Sequence, residues 1–233
     1  APGVINQCGE CGCSYKCMRE GKALGKSLST VTEDFAPVAG TRCGDLDPGA
    51  LLHLARSADL GIDQLNQLLN RESGLKGLSG VGNDLRDIRQ RAIDGDDNCR
   101  LAINVFVHRL RKYIGAYAAV MGGVDAIVFT AGIGENADFI RARVCQNMQF
   151  LGVDLDIDGN RDVAVTTAEP VALISTARSR VKILVVATDE EWSIAQSSAD
   201  LAANLDAVNP VRGIPVAVSA RHVHLTQEAV EVL

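Results

Sequence analysis

The 233-residue chain is predicted to form an α/β layer fold with much of its sheet parallel. Two observations carry that expectation. Apolar runs of strand length, Asp125 to Thr130, Val171 to Ser175 and Lys182 to Ala187, alternate with stretches of helical spacing. A long helical stretch, Asp97 to Met121, is stopped by Gly122-Gly123 directly before the first of those runs.

Taken in order, Val4 to Lys22 reads as short strands around a Gly/Cys turn, and Ser27 to Ala39 has no clear period. The loop "GTRCGDLDPG", Gly40 to Gly49, ends with Pro48, which suits a helix start. Ala50 to Ser57 has helical spacing with Leu51, Leu52, Leu54 and Ala55 on one side. A second helix is expected from about Asp63, a good N-cap residue, to Asn70. Ser73 to Gly82 is rich in glycine and reads as loop. Asp84 opens a charged helix, and the long helix from Asp97 follows. After the strand at Asp125 to Thr130 comes a helix over Ala137 to Met148. The later strands lead to a helix over Asp189 to Ala203, opened by acids. Asn204 to Gly213 carries Asn, Pro and Gly and reads as a linker; from Ile214 a new strand begins, followed by Arg221-His222-Val223-His224 and a short helix capped by Thr226.

Composition narrows the function classes. Hydrophobic residues make up 47%, enough for a substantial core, and the net charge of -6 argues against a general nucleic-acid or anionic-membrane binder. Aromatics are 4%, too few for base-stacking platforms. No apolar stretch approaches the roughly 20 residues that a membrane span needs. The first residues hold no basic segment followed by an apolar one, so a soluble cytoplasmic protein is expected. The chain begins with Ala1 and stops at Leu233 inside what reads as a helix, so a piece of a longer protein is expected.

Seven cysteines, an odd number, argue against a disulfide framework. Cys43, Cys99 and Cys145 are scattered and read as small apolar residues. Cys8, Cys11, Cys13 and Cys17 lie within ten residues, close enough for zinc or an iron–sulfur cluster. Their spacing fits no standard metal-binding run, so the preferred reading is a glycine-rich strand–turn–strand with incidental thiols.

The stretch "FTAGIGENADFIR", Phe129 to Arg141, places a glycine pair between a strand and a helical pattern. Glycine lets backbone approach a ligand, and a helix start offers free N–H groups. Glu135 would repel phosphate there, but carboxylate and amide can accept hydrogen bonds from ribose hydroxyls or a purine amino group. A plain helix-start turn is an equally good reading of this motif alone. Other loops shift the balance. Arg42 can clamp a transferring phosphoryl group or a carboxylate. Asp84 and Arg86 sit at a helix mouth in "GVGNDLRD", and the acids of "ATDEEW" offer oxygens suited to Mg²⁺. Together these are the parts of phosphoryl transfer.

The motifs "GTRCGDLDPG", "SGLKGLSG", "DLRDI", "FTAGIGENADFIR", "LGVDLD" and "ATDEEWSIAQ", in this order from about Gly21 to Leu205, resemble the C-terminal half of the acetate kinase family, which includes propionate and butyrate kinases. The resemblance implies an actin-like, RNase H-type fold of the acetate and sugar kinase superfamily. It implies a reaction in which ATP and acetate give ADP and acetyl phosphate by in-line transfer, with Mg²⁺, small-molecule substrates and a homodimeric full-length protein. By position, Arg42 resembles the family's arginine that stabilises the transferring phosphoryl group. Asp84, Leu85 and Arg86 resemble its first adenosine-binding segment, and Gly132, Ile133, Gly134, Glu135 and Asn136 its second. Glu190 resembles its magnesium-associated glutamate, and Arg141 stands where the family has a matching arginine. Residues 1–205 are thus expected to form the kinase-like part, and propionate kinase or a non-catalytic nucleotide- or metal-binding module are the alternatives.

The departures are specific. The family's His-x-Gly-x-Gly turn is replaced by "CGECG", Cys8 to Gly12, where Glu10 puts negative charge near a phosphate position. "TVTEDFAPVAG" replaces the family's Thr-Pro-Leu-Glu-Gly stretch. The half that carries the family's magnesium-binding asparagine, substrate arginine, catalytic aspartate and catalytic histidine has no counterpart among these residues. Beyond an expected linker at 206–213, "IPVAVSARHVHLT" resembles the start of the microcompartment-type phosphate propanoyltransferase. Two histidines two apart on a strand share a face, so His222 and His224 are candidate zinc ligands, with a surface pair as the plainer reading.

Overall fold

A computed structural model describes residues 3–8, 14–19, 22–27, 38–208, 217–219 and 222–224; for the strands before residue 38, for residues 190, 191 and 193, and beyond residue 202, only the backbone course is described. The chain forms two compact units, Ala1–Ala187 and Thr188–Leu233, each taken by itself.

The first unit is built on a six-stranded sheet in the order β3-β2-β1-β4-β6-β5. Its strands are β1 (Gly3–Cys8), β2 (Ser14–Arg19), β3 (Lys22–Ser27), β4 (Val124–Thr130), β5 (Val171–Leu173) and β6 (Lys182–Val186). β1, β4 and β6 run parallel at its centre, whereas β2, β3 and β5 are antiparallel to their neighbours. The sheet is therefore mixed, with the expected parallel part at its centre. The reason is connectivity: β1, β2 and β3 follow one another through short connections, which suit antiparallel neighbours, whereas the parallel pairs β1–β4 and β4–β6 are joined through long connections that carry helices. β4 is buried at Val124, Ala126, Ile127, Phe129 and Thr130, nearly without alternation, as a central strand covered on both faces should be.

Helices α1 (Pro48–Ser57), α2 (Ile62–Arg71), α3 (Gly74–Ser79), α4 (Leu85–Ile93) and α5 (Asp97–Met121) form the crossover. α1 starts at Pro48 with Asp47 as its cap, as Pro at the first helical position implies. α2 starts one residue before the expected cap. Gly61 takes that place, its amide held by the Gln64 side chain at 2.9 Å, and Asp63 lies inside the first turn, where it complements the helix dipole. The glycine-rich stretch expected to be loop contains α3. Its first amides are satisfied from outside: Leu75 N donates to Ala39 O and Lys76 N to Gly40 O, both at 2.9 Å. With Leu75 fully buried, tertiary anchoring outweighs the weak helix propensity of glycine.

α5 is capped by Asp96, whose carboxylate accepts from Asn98 N and Cys99 N, and ends at Gly122 in the left-handed conformation. It buries Cys99, Ala102, Ile103, Phe106, Leu110, Ile114, Ala118 and Met121, a stripe of helical period that forms the spine of the core. Leu85 and Ile88 of α4 and Leu75 of α3 join the same core.

β4 runs straight into α6 (Ala131–Asn136), so the expected glycine turn is itself one short helix. α7 follows over Asp138–Cys145, shorter than the expected Ala137 to Met148, with the residues up to Leu151 ending in a 3-10 turn. α8 is Ile157–Asp162, capped by Asp156. In the second unit, α9 (Glu190–Val208) continues through residues 206–208, which overturns the expected linker there: Leu205, Ala207 and Val208 are compatible with continued helix, and the breakers Asn209 and Pro210 come later. β7 (Ala217–Ser219) and β8 (His222–His224) pair antiparallel. The rest of the expected linker, residues 209–213, and the helix expected after Thr226 lie outside the described residues.

Candidate functional site

Three of the segments singled out in the sequence come together in the first unit. The Arg42 loop is clamped by the α2–α3 junction. Ser73 N donates to Thr41 O at 3.0 Å, Cys43 N to Leu69 O at 2.9 Å, and Thr41 Oγ1 to Asn70 O at 3.0 Å. Gly74 makes that approach possible. Its φ is +65°, and a Cβ there would stand 2.2 Å from Ala39 O and 2.8 Å from Arg42 O. No side chain fits, so the glycine is needed for both its conformation and its size. On the other side, Asp45 ties the loop to α5. Its Oδ1 accepts from the Tyr113 hydroxyl at 2.6 Å, and its Oδ2 lies 3.4 Å from Arg109 Nη1. Burial, and then the adjoining Asp45 carboxylate, raise the Tyr113 phenol well above its usual range, so it remains a hydrogen-bond donor. Arg42 itself is half-buried on this braced loop.

The second segment begins one residue beyond a contact with the first. A Cβ on Gly40 would lie 3.3 Å from Asn83 Cβ, which puts the Arg42 loop against the residue before Asp84. Asp84 caps α4: its Oδ1 accepts from Arg86 N at 2.9 Å and from Arg86 Nε at 3.1 Å, and its Oδ2 from Arg86 Nη2 at 2.6 Å. The Arg86 side chain and backbone hydrogen bonds hold the Asp84 carboxyl down to about 2. Arg86 is exposed, its side chain 91% accessible. Leu85 differs: at 7% exposure it belongs to the core and anchors the start of α4, so its side chain offers nothing to a ligand.

The third segment is α6. Gly132 and Asn136 are exposed, Ile133 and Glu135 half-buried, and Gly134 buried. Asn136 Nδ2 donates back to Gly132 O at 2.9 Å, closing the turn. The expectation that both glycines serve a ligand divides here. A Cβ on Gly134 would meet the Phe129 carbonyl carbon at 3.0 Å, so this glycine allows the helix to fold back on β4. Ala131, between strand and helix, has φ +54°, an unusual conformation for a residue with a side chain.

Arg89 on α4 links the second segment to the third. Its Nη1 lies 3.3 Å from Asp138 Oδ1, and its guanidinium sits 4.3 Å above the Phe139 ring centroid. Sequence reasoning passed over Arg89, because its partners Asp138 and Phe139 are distant in sequence. A cation two turns into the helix after Asp84 was the only signal for Arg89.

Glu190, His222 and His224 belong to the second unit. Glu190 opens α9; next to it, Asp189 Oδ1 accepts from Trp192 N at 3.0 Å. His222 and His224 sit in β8, opposite Ser219 and Ala217. Among the described residues, no group of three or more His, Cys, Asp or Glu side chains could hold a metal. Of the clustered cysteines, Cys8 pairs with Ser14 and Cys17 with Ile5 in register, while Cys11 and Cys13 lie outside the described residues, as does most of the "CGECG" turn. Cys99 and Cys145 are buried as expected, and burial pushes the Cys145 thiol up to about 12, which leaves it unreactive. No helix among the described residues is long and apolar enough to cross a membrane.

A mixed sheet of this order, with an arginine loop, a carboxylate-capped helix and a glycine-bearing helix set beside one another, is the α/β domain of the actin-like ATPase class. Within that class the chain belongs to the Acetokinase family, which it matches over residues 4–196. It is 45% identical over 187 residues to the acetate kinase of Clavibacter sepedonicus, covering 80% of this chain and 46% of that protein. It is 41% identical over 194 residues to the acetate kinase of Clostridium novyi, covering 82% and 46%. Among solved structures, that of Porphyromonas gingivalis acetate kinase superposes with a TM-score of 0.78 at 38% identity, over 85% of this chain and 49% of that one. A propionate kinase from Francisella tularensis gives 0.70 at 32% identity, over 83% and 47%. The chain spans about half the length of the curated relatives it matches.

Proposed function

We propose that this chain supplies the nucleotide-handling half of an acetate kinase-type phosphotransferase, in which ATP and acetate give ADP and acetyl phosphate. The observation that carries this reading is the joining of three motif segments: Gly40 against Asn83, and Arg89 against Asp138 and Phe139. In the reaction, an acetate oxygen bonds to the γ-phosphorus while the bond from that phosphorus to the bridging oxygen breaks, and ADP leaves. The acceptor is already a carboxylate at neutral pH, so no proton has to be removed from it. What the protein must supply is alignment and positive charge at the transferring group. Arg42 is the residue assigned to that charge. Asp84, Arg86 and α6, through the exposed Gly132 and Asn136 and the half-buried Glu135, are assigned to the adenosine end, where carboxylate and amide oxygens meet hydroxyl and amino donors.

Magnesium fits the donor chemistry at the start of α9, where Thr188, Asp189 and Glu190 bring hydroxyl and carboxylate oxygens. Asp189 accepts from Trp192 N, and Glu190 is assigned to the metal on the family resemblance; the metal would offset phosphate charge when bound. Zinc fits less well: His222 and His224 are two donors where a site needs three or four, so no step is assigned to it. The reading of residues 214–233 as the start of a phosphate acyltransferase-like domain rests on the resemblance of "IPVAVSARHVHLT", with the kinase-like part running through α9. The homodimer and the cytoplasmic location are part of the same proposal and rest on the family resemblance. A propionate acceptor is the second reading, supported by the likeness to the Francisella tularensis propionate kinase.

Calorimetric titration of the 233-residue chain with Mg-ADP tests the nucleotide assignment. Heat of binding at millimolar or lower ADP is expected; its absence from a folded sample would refute it. A chain extended to the length of its relatives, assayed for acyl phosphate by hydroxamate formation with acetate and with propionate, tests the reaction and the acceptor. The 233 residues alone are expected to give no ordinary turnover, since transfer needs groups from both sides of a cleft.

A further inference from the structure

We infer that Arg141, together with Asn160, is a positioning residue for the nucleotide site: it fixes α6 and α4 in one arrangement before any nucleotide arrives. The inference rests on the assignment of α6 to the nucleoside.

A lone arginine after a nucleotide motif would be expected to reach for phosphate. This one cannot. Arg141 is 1% exposed. Its Nη1 donates to Gly134 O and Glu135 O, both at 2.8 Å; its Nε donates to Asn160 Oδ1 and its Nη2 to Asn160 O, both at 2.7 Å. A guanidinium has five N–H groups, and four are taken by these bonds. Every acceptor is neutral, and no salt bridge to Arg141 is formed among the described residues; burial lowers its basicity, and the charge of nearby Asp138 offsets part of that. A buried charge without an ion-pair partner is expensive, so it persists only where several good hydrogen bonds replace its water. Two of the bonds fall on the last turn of α6, whose C-terminal carbonyls carry partial negative charge and have no partners within the helix.

Asn160 completes the lock. It is 2% exposed, and its Nδ2 donates to Asp138 O at 3.0 Å. It therefore holds the start of α7 while its Oδ1 and backbone oxygen hold Arg141. Asp138 in turn faces Arg89 of α4, the helix that Asp84 caps. The chain of contacts runs from α8 through Arg141 to Glu135, and through Asp138 and Arg89 to the helix of Asp84 and Arg86. Both adenosine segments are thereby tied to one buried guanidinium that is itself closed off from solvent. A six-residue helix is not stable by itself, so without this tie α6 would have to be ordered by the nucleotide, at the expense of affinity.

The test is Mg-ADP titration of the unmutated chain and of Arg141→Met, Arg141→Lys and Asn160→Ala, with far-UV circular dichroism and thermal melting on each. Arg141→Met is expected to weaken ADP binding at least tenfold while native helix content is kept. Arg141→Lys should recover only part of this, because one ammonium cannot reach α6 and α8 together. Asn160→Ala should fall between. A role confined to stability would lower the melting temperature and leave the affinity of the folded fraction unchanged. Folded Arg141→Met binding within about twofold of the unmutated chain would overturn the inference. Should that variant not fold, Asn160→Ala decides: unchanged affinity overturns the inference and a loss of about threefold or more supports it. Failure of the unmutated chain to bind ADP would refute the nucleotide assignment and the inference with it; binding that survives in the variants refutes the inference alone.

Discussion

Gly74 and Gly80 offer a matched pair of perturbations on one short helix. Their φ angles are +65° and +73°, so an alanine at either adopts the left-handed conformation at a cost of about 1–2 kcal/mol. Their surroundings are opposite. A Cβ at Gly80 has nothing within 4 Å, whereas at Gly74 it lies 2.2 Å from Ala39 O, 2.8 Å from Arg42 O and 2.9 Å from Arg42 N. All three are backbone atoms, so no side-chain rotation relieves the clash. The loop must move, and the bonds from Leu75 N to Ala39 O and from Lys76 N to Gly40 O go with it. At about 1 kcal/mol each, these add roughly 2 kcal/mol to the backbone strain. Gly74→Ala should therefore cost about 3–4 kcal/mol and Gly80→Ala about 1–2. Urea unfolding followed by circular dichroism is the suitable assay, because the first unit carries most of the helices and the single tryptophan, Trp192, belongs to the second. With a slope of roughly 2 kcal/mol per molar, the two midpoints should differ by about 1 M. Equal midpoints would show that the Arg42 loop is not seated on Gly74, and the bracing argument would fail.

Other outcomes follow from the same geometry. In a chain extended to the length of its relatives, Arg42→Ala should lower kcat by about 10²–10³ with little change in ATP affinity, and lysine should restore part of it; a loss confined to nucleotide affinity would make Arg42 a binding residue. The Asp84 carboxyl lies below its ordinary 3.8, so its pairing with Arg86 is intact above that value and is lost as pH falls through about 2. Its carboxyl carbon should titrate near 2 by NMR, and Arg86→Ala should return it toward 3.8; a midpoint unmoved by that substitution would remove Arg86 as the cause. Ala131→Gly should stabilise the fold by about 0.5–1 kcal/mol, because relief of left-handed strain exceeds the added chain entropy, the reverse of the usual effect in a helix. A loss of about 1 kcal/mol in thermal or urea unfolding would mean that Ala131 is not strained.

The sequence was most readable where structure is set by neighbours. Asp84 could be placed as a cap because a capping residue acts on amides two and three positions ahead, and the stripe from Cys99 to Met121 shows its own period. It was least readable where distant residues decide. Gly74 to Ser79 looks like loop until the carbonyls of Ala39 and Gly40 cap its amides. The direction of β5 depends on β6, not on its own residues. Nothing local marks Arg141 as buried; its bonds to the carbonyls of Gly134 and Glu135 and to Asn160, 19 residues later, explain it.

The motifs that mark the family are mixtures of residues facing outward and residues facing the scaffold. In the first loop Arg42 is half-buried, while Asp45 turns to Tyr113 and Arg109. In "DLR" the acid and the arginine are at the surface and Leu85 is in the core. In "GIGEN" Gly132 and Asn136 are exposed, and Gly134 packs on Phe129. A motif match alone therefore assigns no role to a single residue; burial and partners do. The mixture also has an energetic logic. Groups meant to meet a substrate gain affinity and rate only when they are already held in place, since ordering them on binding subtracts from both. Each outward residue in these segments has an inward neighbour within a few positions whose bonds reach another element: Asp45 to α5, Leu85 to the core, Gly134 to β4 and Arg141 to α8. Substitutions at the inward set should consequently act on binding through position, and those at the outward set through contact, a distinction that the Arg141 and Arg42 variants can separate.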